Sequence, residues 1–215
     1  MAPSLPSYSA AEIEDIAAAT LRARVPGGVV SIPVDVEAVI EADPTVVIDT
    51  VRGLTQEHAV EGAVLAHPAE QRFTVIIDEE LFDRRATRAR FTLAEEFGHL
   101  VLHRELLATV TSLDDAVALQ QHPAYYDQLD RNAKRFAAAV LMPPERVRED
   151  AARLFIELRA AKLSEAELTR TLTIRLAQHY AVSPTAMGHR LREWPVGVQK
   201  GIQQAFARGL PALPR

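Results

Sequence analysis

The chain has 215 residues, 48% hydrophobic and 25% charged, enough for one good-sized domain or one domain with a small appendage. Its net charge of −5 gives no general attraction to nucleic acid or to an anionic membrane surface. The absence of cysteine excludes disulfides, thiolate metal sites and a cysteine nucleophile, and is compatible with a reducing cytoplasm.

The N-terminus, MAPSLPSYSAAEIEDI, lacks the basic and apolar regions of a signal peptide. No apolar run approaches the roughly 18–20 residues that span a bilayer. Residues 1–8 read as loosely attached. Ser9 with Glu12 reads as a capping box that opens a helix to about Arg24, with Ile13, Ile16, Ala17 and Leu21 on its apolar face. Pro26-Gly27-Gly28 ends it. A short helix to Ala42 follows, with Val34, Val36, Val39 and Ile40 as its buried stripe. Three strand-like runs, 45–51, 62–66 and 72–77, are separated by polar turns and predict a small antiparallel sheet.

A short helix or turn is expected at Asp83-Arg84-Arg85, then a long helix over 87–107. A surface loop or short helix over 111–124 ends at Gln121-His122-Pro123. A helix over 124–141 carries Leu129, Ala133, Phe136, Ala137 and Val140 as its apolar stripe, and Met142-Pro143-Pro144 stops it. Helices over 144–161, 164–180 and 184–193 complete the chain. The 172–191 pattern resembles a helix-turn-helix, with Ser183 as a cap and Arg190 and Arg192 on its second helix. Mixed local charge and the acidic chain argue against direct DNA binding. His122, His179 and His189 read as surface or structural groups.

The stretch 91–103, FTLAEEFGHLVLH, carries the chemistry. At about 100° per residue, Glu95, His99, Thr92, His103 and Glu96 share an arc of roughly 100°. The rest of the circumference is apolar, so the helix is expected to be buried. Buried Glu and His are costly unless paired or bound to metal. In H-E-x-x-H, two ligands at i and i+4 share a face and the Glu at i+1 acts as general base. Here Glu95-Glu96-Phe97-Gly98-His99 keeps the second ligand and the base. A carboxylate takes the first ligand position, and carboxylates also bind zinc. His103 reads as a structural or supporting group. On spacing alone, Asp130 reads as a surface residue paired with Lys134 at i+4.

Three segments together point further. Residues 90–103 read RFTLAEEFGHLVLH, residues 130–143 read DRNAKRFAAAVLMP, and residues 176–194 read LAQHYAVSPTAMGHRLREW. They resemble the ImmA/IrrE family of metallopeptidases, whose pattern is roughly R-F-T-[LI]-A-H-E-[LI]-G-H-x-x-L-H, then E-x-x-A-N-x-F-A-x-x-L-L-M-P, then V-S-x-x-A-M-x-x-R-L. Three positions depart: Glu95 replaces the first His, Asp130 replaces a Glu and Lys134 replaces an Asn.

The resemblance implies an α+β fold with a zincin-like core, a small antiparallel sheet packed on helices, and a helical C-terminal part. Residues 1–150 would form the metallopeptidase core with its N-terminal helices, and 151–215 the helical segment. It implies Glu95, His99 and Asp130 as metal ligands and Glu96 as general base. Zn2+ is the expected ion, and two carboxylates with one imidazole also suit Mn2+ or Fe2+. The implied activity is that of a cytoplasmic, metal-dependent endopeptidase. Its implied partner is a helix-turn-helix transcriptional repressor, cleaved or inactivated in a stress or mobile-element response. The alternative is a degenerate binding module of the same fold that regulates a protein partner without hydrolysis. Retention of Glu96 and His99 favours the enzyme, and loss of the first His favours the binder.

Overall fold

The computed structural model describes residues 7–121 and 123–209, without the side chains of 123–125. The described residues divide into two compact units, the first ending at Leu141 and the second beginning at Met142.

In the first unit, Ser9 caps α1 (Ala10–Arg24) through the expected capping box with Glu12. Residues 1–6 lie outside the described residues, but Tyr8 is not loosely attached. Its hydroxyl donates to the Leu102 carbonyl at 2.8 Å. Asp35 caps α2 (Val36–Glu41), whose Val36, Val39 and Ile40 are buried. Then come β1 (Val46–Val51), α3 (Leu54–His58), β2 (Gly62–His67), β3 (Arg72–Asp78) and α4 (Glu79–Arg84).

The sheet order is β1-β3-β2. The expected antiparallel pairing holds for β2 with β3, Val64 opposite Val75. It fails for β1, which runs parallel to β3 with Ile48 opposite Val75. The sheet is therefore mixed. The chain leaves β1 through α3, lays down β2 on the far side, and returns through the middle as β3. Burial follows this order: β3 is buried along most of its length, whereas β1 buries only Val46. Asp78 fixes the end of β3. Its carboxylate accepts from Leu81 N at 3.1 Å, capping α4, and from Thr55 N at 2.7 Å in α3.

The single helix expected over 87–107 is broken in two. α5 (Ala86–Leu102) stops at His103, which leaves helical geometry at φ −131°, ψ 27°, and α6 (Arg104–Leu107) restarts the chain. In an unbroken helix the Leu102 carbonyl would accept from residue 106. Here Tyr8 takes it. Ser112 caps α7 (Leu113–Gln120), and α8 (Pro123–Leu141) follows.

α8 packs against α5 and α1. Its predicted stripe of Leu129, Ala133, Phe136, Ala137 and Val140 is buried throughout. Phe97 meets Phe136 edge to face at 5.7 Å, a pair whose burial contributes about 1.5–3 kcal/mol per ring. Where the helices cross, Gly98 lies against Ala133.

The second unit holds α9 (Pro144–Leu158), α10 (Glu165–His179), α11 (Pro184–Arg192) and α12 (Val198–Ala207). α12 is not among the expected helices. Ser183 caps α11 as expected. Arg190, however, is buried and donates from Nε to the Met142 carbonyl at 2.9 Å. It is a structural group and not part of a basic surface. Among the described residues, no helix is long and apolar enough to cross a membrane.

Candidate metal centre

α5 supplies Glu95, Glu96 and His99 from its buried face, and α8 supplies Asp130. Glu95 is 9% exposed, Glu96 5% and His99 3%. The bare approach of Gly98 to Ala133 lets the helices close enough for Asp130 to reach the α5 residues. One oxygen each from Glu95 and Asp130 and one ring nitrogen of His99 lie within 4.8 Å of one another. Donors on a common tetrahedral ion at about 2.0–2.2 Å are roughly 3.4 Å apart. The side chains would therefore have to draw in by up to about 1.4 Å to close this set on a divalent cation. Asp130 also makes the i+4 pair with Lys134 that spacing alone predicts.

The electrostatics suit a cation. Burial pushes the Glu95 carboxyl up to about 7; the neighbouring Asp130 adds to the rise and Lys134 opposes it. Burial, then the charges of Glu95 and Asp130, hold Glu96 well above the usual carboxylate range. Burial pushes His99 down to about 3, with His103 and Lys134 adding to the effect. His99 is thus neutral, the form that binds a metal.

Four further groups shape the site. The Tyr126 hydroxyl lies 3.2 Å from His99 Nε2, and the two rings stack at 5.4 Å. Burial, then the charges of Glu96, Glu95 and Asp130, raise the Tyr126 pKa, so the phenol keeps its proton. His103 is buried, stands 5.5 Å from the His99 ring, and among the described residues has no hydrogen-bond partner at either nitrogen. Gly62 opens β2 directly over Glu96, where a Cβ would lie 2.9 Å from Glu96 Cγ. Lys134 Nζ lies 2.8 Å from Asp130 and 3.8 Å from Glu95 Oε1. A cavity of about 20 Å³, room for roughly one water molecule, touches Glu96, His99, His103 and Tyr126.

The sequence reading singles out Glu95, Glu96, His99 and Asp130. The structure brings the three putting forward donor atoms together and sets Glu96 beside them on the same helix. Tyr126 and Gly62 are not among them. Tyr126 has no spacing signal that links it to His99. Gly62 has one, since a glycine within a strand marks close approach of another group. His122 lies outside the described residues.

A mixed sheet packed on helices, with two carboxylates and an imidazole converging from crossed helices, defines a metallopeptidase-type domain of zincin-like build. Residues 74–192 match the Peptidase_M78 family, described as the IrrE N-terminal-like domain. The chain belongs to that family. No curated protein gives a significant match.

Proposed function

We propose that this protein is a metal-dependent endopeptidase in which Glu95, His99 and Asp130 hold a divalent ion and Glu96 is the general base. The convergence of those three donors within 4.8 Å carries the proposal. A divalent ion held by Glu95, His99 and Asp130 would supply Lewis-acid polarisation of the scissile carbonyl and a more acidic water at neutral pH. Glu96 removes a proton from the attacking water as the new C–O bond forms at the acyl carbon. It then delivers that proton to the amide nitrogen as the C–N bond breaks, leaving a carboxylic acid and an amine. Zn2+ is the expected ion, with Mn2+ and Fe2+ as further candidates for this oxygen-rich set. We assign the substrate class as a helix-turn-helix repressor, cleaved in the cytoplasm during a stress or mobile-element response, and the family resemblance supports this.

A binding module that acts on its partner without hydrolysis is the second possibility. The carboxylate at the first ligand position favours it, as does the Lys134 ammonium beside that carboxylate.

Elemental mass spectrometry on protein purified without chelator tests the metal. About one equivalent is expected in the wild type and none in His99→Ala. Glu96→Gln is expected to retain the metal and lose peptide hydrolysis by about 10²–10⁴-fold. Unchanged hydrolysis in Glu96→Gln would rule out this base, and metal-free wild-type protein after reconstitution would favour the binding module.

A further inference from the structure

Lys134 stands where a cation can serve either of two roles. Its Nζ lies 2.8 Å from both Asp130 oxygens and 3.8 Å from Glu95 Oε1. Those carboxylates supply two of the three clustered donors. The contact with Asp130 is built into α8, because residues four apart share a helix face. Glu95 comes from α5, so the ammonium also bridges the two helices. Two acidic groups this close repel one another, and burial makes the repulsion costly. One positive charge between them relieves it.

A divalent ion answers the same need and takes the same oxygens. Asp130 cannot offer its lone pairs fully to both cations, and an ammonium and a divalent ion a few ångströms apart repel. The Lys134 side chain is 49% exposed. Its flexible stem therefore lets the ammonium swing into water when an ion arrives. Metal entry thus exchanges an internal cation for an external one.

We propose that Lys134 is a tethered counter-ion that competes with the metal for Glu95 and Asp130, and so sets how tightly the site holds it. This rests on the metal site proposed above and adds its regulation. In the metal-free protein the ammonium offsets part of the negative charge that Glu95 and Asp130 bring together. Occupancy follows the surrounding free-ion concentration and is not locked at one ion per chain.

The test is calorimetric titration of the full-length, metal-free protein with Zn2+ and, separately, Mn2+ at neutral pH. Wild type, Lys134→Gln and Lys134→Arg are compared, with thermal unfolding of each in chelator and in excess metal. Removing the charge is expected to tighten binding by roughly tenfold, after allowing for the solvent exposure of the lysine. Lys134→Arg, which keeps a cation, is expected to stay close to the wild type. Lys134→Gln is expected to melt lower than wild type in chelator and to gain more from metal, a crossing that a purely structural role would not produce. Binding by Lys134→Gln alone also supports the counter-ion. Equal or weaker binding by Lys134→Gln overturns it and leaves the metal site standing. Binding by none of the three proteins overturns both.

Discussion

Gly98 and Ala133 bring the two site helices into near-backbone contact: a Cβ at position 98 would lie 2.9 Å from the Ala133 carbonyl oxygen and 3.0 Å from the Phe136 ring. In an open helix interior, Gly→Ala stabilises by about 1 kcal/mol. Here the added methyl must push α8 away. Gly98→Ala is therefore expected to lose about 1–3 kcal/mol of stability in denaturant titrations. It is also expected to weaken metal binding, because Asp130 moves off Glu95 and His99. A stabilised variant with normal metal affinity would disprove the close-crossing account.

Gly62→Ala probes the base without touching the donors. Its Cβ would meet Glu96 Cγ and Thr92 Cγ2 at 2.9 Å, and Glu96 Oε1 at 3.2 Å. Glu96 must move, and none of the three donor residues is among those atoms. The expected outcome is normal metal content with hydrolysis lowered by about 10²-fold or more. Loss of metal in this variant would show that the two parts of the site are not separable.

Tyr126→Phe removes a hydroxyl and keeps the ring stacked on His99. A neutral phenol beside a metal-site nitrogen can donate to negative charge that develops during hydrolysis. A fall of about 10–10²-fold in kcat is expected, with metal content and melting temperature little changed. If the variant sheds its metal instead, the hydroxyl serves to hold His99 and does not act in the reaction.

Asp78 sets a pH dependence far from the site. Burial acts to raise its pKa, but the backbone hydrogen bonds from Thr55 and Leu81 outweigh burial and bring it below 3.8. Below 3.8 the unfolded chain takes up this proton before the folded chain does. The stability Asp78 contributes is therefore fully present above its unfolded pKa, and is lost as pH falls through its folded pKa. Asp78→Asn is expected to cost about 1–3 kcal/mol at neutral pH, since the amide NH2 cannot accept a backbone N–H. The gap to wild type should narrow as pH falls below 3.8. Denaturant titrations at neutral pH and at pH values below that point measure it, and a constant gap would contradict the assignment.

Much of this arrangement is legible in the sequence because local physics decides it. Ser9 and Ser183 cap the helices they announce, and the apolar stripe of α8 is buried as its spacing demands. Glu95, Glu96 and His99 stand out because charge on an otherwise apolar helix needs a reason. What the sequence hides depends on distant partners. Nothing near residue 103 signals that Tyr8 ends α5, and nothing in three strand-like runs says that the third lies between the other two. The approach of Tyr126 to His99 likewise exists only once α8 has docked on α5. Asp130 lies between these cases: spacing gives its pair with Lys134, the family resemblance names it beside Glu95 and His99, and the helix crossing brings the three together.

The outer edge of β2 is already engaged. Ala66 N donates to the Val110 carbonyl at 2.7 Å, and the Gln120 side-chain amide donates to the Gly62 carbonyl at 3.0 Å. An unfolded polypeptide lying down beside β2 as a fourth strand must first evict both. That eviction costs the same whatever bond is then cut, so it weighs on capture and leaves the chemical step alone. Gln120→Ala, which empties one of the two positions, is expected to lower KM for an extended peptide while kcat holds steady.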